Sequence, residues 1–135
     1  MRKTISIGMI FSLALGLALS ACEPGPNSLR LTLPDQEARD QTAHIRISAI
    51  EPGADASCQA LLNLEAAPGN DGYPVLMFLE FDYPVTDDSI GDWTGLGSGL
   101  RLFYAEAENS DGDVILNGCT SADVGDEVLI ALTWI

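Results

Sequence analysis

Lysine is almost missing from this chain. Its 135 residues hold one, Lys3, and the whole set of basic residues numbers 6 against 20 acidic ones, a net charge of −14. Phosphate backbones are held by clustered Lys and Arg, so this composition excludes a nucleic-acid partner. Adsorption to anionic lipid headgroups through a basic face is excluded on the same ground. Histidine is nearly as scarce, with His44 alone. Nucleophilic catalysis of the Ser–His–Asp kind needs a histidine beside an activated serine and a carboxylate. No G-x-S-x-G elbow occurs, and Gly97-Ser98-Gly99 lacks its spacing. His44 therefore reads as a surface residue beside Arg46, on the polar side of a strand. Helical periodicity is absent outside one short turn, internal repeats are absent, and the one long apolar run is at the start.

That start has a definite order. Met1-Arg2-Lys3 is followed by a mostly apolar, uncharged stretch from Thr4 to Leu19, and then by Leu19-Ser20-Ala21-Cys22. The run is too short and too weakly flanked for a membrane span. It resembles the signal peptide of bacterial lipoproteins, with Leu-Ser-Ala-Cys as the lipobox. The resemblance implies cleavage before Cys22, lipidation of its thiol and acylation of the new amino group. Each buried methylene of an acyl chain is worth about 0.8 kcal/mol, and two or more chains hold a protein firmly on a bilayer. Residue 23 is Glu rather than the Asp that keeps many lipoproteins at the inner membrane, so the outer membrane is the expected destination. The organisation expected is a signal peptide over 1–21, a lipidated Pro/Gly-containing tether over 22–28, and a folded domain over 29–135.

Cleavage would leave 114 residues, with four arginines against all 20 acids and a net charge of −16. That length suits one domain with one core. The charge repels acidic surfaces and suits a basic partner or an exterior rich in divalent ions. With Cys22 taken by lipid, Cys58 and Cys119 remain, and an exported pair is expected to form a disulfide. Two buried thiols or a metal pair are the alternatives. A zinc site would have only His44 to add to them, short of the usual four ligands.

From Leu29 the pattern has a period of two. Leu29, Leu31 and Leu33 alternate with polar residues until Pro34. Ile45, Ile47 and Ala49 alternate with His44, Arg46 and Ser48 over 43–50. Ser57 is placed to cap one helical turn that packs Leu61 and Leu62 inward. Over 74–82, Val75, Met77, Leu79 and Phe81 share one face. The other face begins apolar, at Leu76 and Phe78, and ends acidic, at Glu80 and Asp82. An acidic, Gly-rich connection follows over 87–99, with Leu96 as a plug. Strands are expected over 100–108 and 113–119, joined by a tight turn at Asp111-Gly112. A turn is expected over 120–126, then a last strand in which Val128, Ile130, Leu132 and Trp134 alternate with Leu129, Ala131 and Thr133. Six to seven such strands in about 110 residues predict an all-β sandwich with one short helical turn, with an open barrel as the alternative.

Residues 96–107, LGSGLRLFYAEA, followed by Asp111-Gly112, are similar to a segment of immunoglobulin-like and transthyretin-like exported modules. Ser-Cys-Gln-Ala-Leu-Leu at 57–62, taken with Asn-Gly-Cys-Thr at 117–120, also resembles lipoproteins of the myxobacterial type. The resemblance implies an immunoglobulin-like or transthyretin-like β-sandwich and a Cys58–Cys119 bridge. It implies no reaction, since such modules share a scaffold and no common active site.

Candidate chemistry is sparse. Glu80, Asp82, Asp87, Asp88 and Asp92 form an acidic cluster, the last three within one Gly-rich connection, and Asn109, Asp111 and Asp113 alternate around Gly112. Oxygen-rich loops of this kind suit calcium, which takes six to eight oxygen ligands, although neither group matches the EF-hand order. Solvated turn acids are the plainer account. Trp93, with Tyr83 and Tyr104, could offer an aromatic surface to a glycan, whereas such residues more often pack at sandwich edges. No cofactor other than calcium is suggested. The expected role is a membrane-anchored, non-catalytic interaction or structural-accessory module of the cell envelope, meeting an envelope protein or a glycan. A calcium-dependent adhesin or glycan binder is the second expectation, and a hydrolase the third.

Overall fold

The computed structural model describes residues 28–84 and 95–135. The expected signal peptide over 1–21, Cys22, residues 23–27, and Asp87, Asp88, Asp92 and Trp93 lie outside the described residues. In chain order the elements are β1 (Ser28–Thr32), α1 (Gln36–Gln41), β2 (His44–Ile50), α2 (Cys58–Leu62), β3 (Val75–Asp82), β4 (Leu100–Glu108), β5 (Val114–Asp123), β6 (Glu127–Ala131) and β7 (Thr133–Trp134). Two sheets stack. The larger has five antiparallel strands in the order β3-β2-β4-β5-β7, and the smaller pairs β1 with β6 in parallel. The chain is an all-β sandwich, as the period-two alternation predicts.

Alternation decides the faces. Ile45, Ile47 and Ala49 of β2 point inward beside Met77, Leu79 and Phe81 of β3 and Phe103, Ala105 and Ala107 of β4. Val128, Ile130 and Leu132 close on them from the other side, with Leu29 and Leu31 packed against the same core. Leu96 is buried there too, so it is the plug its surroundings suggest. A second, smaller core forms on the outer face of the large sheet. Leu61 of α2 and Tyr73 cover Ile50, Leu102 and Tyr104. Ser57 caps α2 as expected, its side chain accepting from the Ala60 N–H at 3.2 Å. Leu61 is fully buried while Leu62 is only half-buried. The Cys58–Cys119 disulfide ties α2 to β5, with the two Cα atoms 5.5 Å apart.

Four details differ from the sequence reading. Helix α1 is a second helical segment. At six residues it is too short to show periodicity, and its signal is the cap, where Asp35 Oδ1 accepts from the Ala38 N–H at 2.8 Å. The other carboxylate oxygen of Asp35 accepts from Trp134 Nε1 at 3.0 Å, which ties the end of the last strand to α1. Strand β5 runs on to Asp123, pairing through residues 120–123 with Leu100–Phe103, so the turn shrinks to 124–126 around Gly125. Thr120 is paired with Phe103, and its hydroxyl donates to the Leu129 carbonyl at 2.6 Å. The last strand is broken at Leu132, where the chain leaves β1 and moves across to β5. Finally, a bulge at Leu76 places Val75 opposite Ile50, on the outer face rather than with Met77.

Candidate functional site

The outer face of the large sheet has two halves. One lies under α2 and the 51–74 excursion. The other is open and carries three rungs across β3, β2 and β4. His44 lies between Asp82 and Glu108, Arg46 between Glu80 and Glu106, and Ser48 between Phe78 and Tyr104. Opposite charges directly across strands favour this register. Arg46 Nε donates to Glu80 Oε1 at 2.8 Å, and its terminal nitrogens reach Glu106 at 3.9 Å and Glu108 at 3.5 Å. His44 stands 3.4 Å from Asp82 and 3.8 Å from Glu80. The hydrogen bond from Arg46 holds the Glu80 carboxyl below the usual carboxylate range, and the same bond raises the Arg46 guanidinium. The ladder's contribution is present at neutral pH and is lost as acid titrates Glu80 through its lowered value. Four carboxylates face one guanidinium and one imidazole, so the strip remains negative.

Beside the strip a groove of about 500 Å³ runs between the sheet and the 51–74 excursion. Arg46, Ser48, Glu80 and Glu106 line its polar part, and Ala67, Pro68, Val75 and Phe78 its apolar part. Phe78 is 59% exposed, an unusual state for a phenylalanine in the middle of a strand. No protein-family model, curated protein or solved structure matches the chain. A functional reading therefore rests on this chain's own sequence and geometry.

The calcium group is described only in part. Asp111 and Asp113 lie at the tip of the β4–β5 hairpin, and their backbone N–H groups both donate to Asn109 Oδ1 at 3.0 Å. That oxygen serves the turn, which accounts for the Asn–Asp–Asp spacing. Among the described residues no three His, Cys, Asp or Glu side chains are grouped to hold a metal ion. His44 and Ser98 are not brought together. β4 separates its Glu108 end, beside His44, from its Leu100 end, beside Ser98, by roughly 26 Å at strand spacing. Tyr104 is buried under α2, and Tyr83 lines a separate cavity of about 440 Å³ with Leu31, Leu33, Ile45 and Phe81, so these two tyrosines do not share a surface.

Tyr104 instead belongs to a buried polar link. Asn117 Nδ2 donates to its hydroxyl at 3.2 Å and to the Leu62 carbonyl at 3.2 Å, while the Tyr104 hydroxyl donates to Glu106 at 3.3 Å. Burial, the largest cause, together with the Glu106 charge pushes the Tyr104 phenol up to about 12. An unfolded tyrosine ionises near pH 10. Between those values the unfolded chain binds fewer protons, so stability falls as pH rises and is fully present below pH 10. Denaturant midpoints measured from pH 8 to 12 should show an alkaline loss of about 2 kcal/mol. Tyr104→Phe should cost about 1 kcal/mol at neutral pH and flatten that alkaline limb. An unchanged limb in the variant would assign the loss elsewhere.

Proposed function

We propose that this protein is a lipid-anchored envelope lipoprotein whose domain acts as a non-catalytic interaction or structural-accessory module. The observation that carries the reading is Leu19-Ser20-Ala21-Cys22 at the end of an uncharged apolar run begun by Arg2-Lys3. Two further features support it. A disulfide across the domain suits an oxidising compartment outside the cytoplasm. A stapled sandwich with an open, charged sheet face suits recognition by contact. On this reading Cys22 carries the acyl chains, residues 23–27 hold the domain off the bilayer up to β1, which begins at Ser28, and the outer membrane is the destination.

The test is fractionation of bacteria expressing the full chain, with an alkyne-tagged palmitate as label. Wild type should sediment with the membranes, carry the label, and separate with the outer membrane on a density gradient. Cys22→Ser should carry no label and leave the membrane fraction. Wild type found free of label in the soluble fraction would end the lipoprotein reading.

A further inference from the structure

We propose that the outer edge of the large sheet, strand β3, docks an extended basic segment of a partner protein as an added strand. Lys or Arg side chains on the segment's outer face would meet Glu80 and Asp82 and lay an alkyl stem over Phe78, while its apolar side chains on the other face would continue the inner row of Met77, Leu79 and Phe81. The proposal rests on the reading of this domain as an interaction module and names the surface and partner class.

The two edges of the five-stranded sheet differ. β7 is two residues long, and a short edge gives a foreign strand little to pair with. β3 has eight residues and, among the described residues, no neighbour except β2. A bulge at Leu76 and the acids at its far end guard it in part, but Phe78 at its middle is 59% exposed. Pro74 and Pro84 flank it, which confines any added ladder to the strand itself.

The charges choose among occupants. Side chains on an added strand alternate with period two, so one face of the newcomer would meet Phe78, Glu80 and Asp82 in turn. The Asp82 side chain is 98% exposed and open to a cation. Nothing on β3 complements these acids, since the strand holds no Lys, Arg or His. A second copy paired through β3 would in every register set its acids against acids or apolar residues, and each copy carries a net charge of −14. An acidic strand meets the same repulsion. A strand alternating basic with apolar residues meets neither.

The probe is a fluorescent, end-blocked peptide of eight residues alternating lysine with valine and phenylalanine, with a glutamate-for-lysine counterpart. Binding to the full-length chain in non-ionic detergent is read by anisotropy. The lysine peptide should bind and the glutamate peptide should not. Phe78→Ser and Asp82→Lys should each weaken binding about tenfold. Asp40→Lys, the same charge reversal on α1 at the inner side of the sheet, should leave affinity within about twofold. Circular dichroism checks that each variant is folded. Equal binding of the two peptides, no binding of the lysine peptide at millimolar concentration, or equal losses in Asp40→Lys and Asp82→Lys would overturn the proposal. So would concentration-dependent dimerisation abolished by Phe78→Ser, which would give the edge to a second copy. Peptide binding does not read Cys22, so its failure is distinguishable from failure of the anchoring test.

Discussion

The Cys58→Ser, Cys119→Ser double variant should lose about 4 kcal/mol of stability and melt roughly 20 °C lower. The bridge joins residues 61 apart in sequence, and closing so long a loop removes much of the unfolded chain's freedom. It also pins an excursion that has few other holds. Between Glu51 and Pro74 the described structure has one five-residue helix. Two residues of the excursion, Leu61 and Tyr73, are buried, and side-chain links are few. Asn117 Nδ2 donates to the Leu62 carbonyl, and the Ser57 N–H donates to the Tyr73 hydroxyl. Without the bridge, water gains a route to Ile50, Leu102 and Tyr104 beneath. Hydrogen exchange should therefore rise first in α2 and at these three residues, while Ile45 and Ile47 in the inner core stay protected longest. A melting shift under about 5 °C would mean that the small outer core holds α2 unaided.

Much of the fold was legible because alternation reports faces directly. Ile45, Ile47 and Ala49 are inward and His44, Arg46 and Ser48 outward, as their spacing says. Leu96 is buried, and Ser57 caps a turn that buries Leu61. Alternation carries no information about neighbours. The 74–82 segment alternates over Met77, Leu79 and Phe81, but that spacing does not say whether the strand is central or, as β3 is, an edge. Its pairing is decided by long-range contacts with β2, and so is the bulge at Leu76 that turns Val75 outward. The candidate surface was half visible for the same reason. A phenylalanine followed at steps of two by Glu80 and Asp82 is a mixed face that a simple half-buried strand would not show. That Arg46 answers Glu80, and that nothing covers Phe78 among the described residues, depends on strand order. The short helix α1 left only its Asp35 cap as a signal.

Gly118→Ala should cost about 3 kcal/mol and lower the melting temperature by roughly 15 °C, although it adds one methyl group. Gly118 lies in β5 opposite Ala105, where β6 crosses the inner face. A Cβ there would sit 2.6 Å from the Ala131 carbonyl oxygen and 2.9 Å from Ile130 Cγ2. The first of these is backbone, so no side-chain rotation relieves it. Ordinary contact requires β6 to retreat by roughly 0.8 Å. β6 cannot retreat alone, because it is paired with β1 along five residues and is held at its end by β7 on β5. Moving it withdraws Val128, Ile130 and Leu132, all fully or almost fully buried, from the core. The loss should appear as faster hydrogen exchange in β1 and β6 with little change in β2, since the small sheet is the part displaced. A variant that melts within about 4 °C of wild type, with β1 and β6 protected as before, would show that the corner at Leu132 lets β6 slide without opening the core.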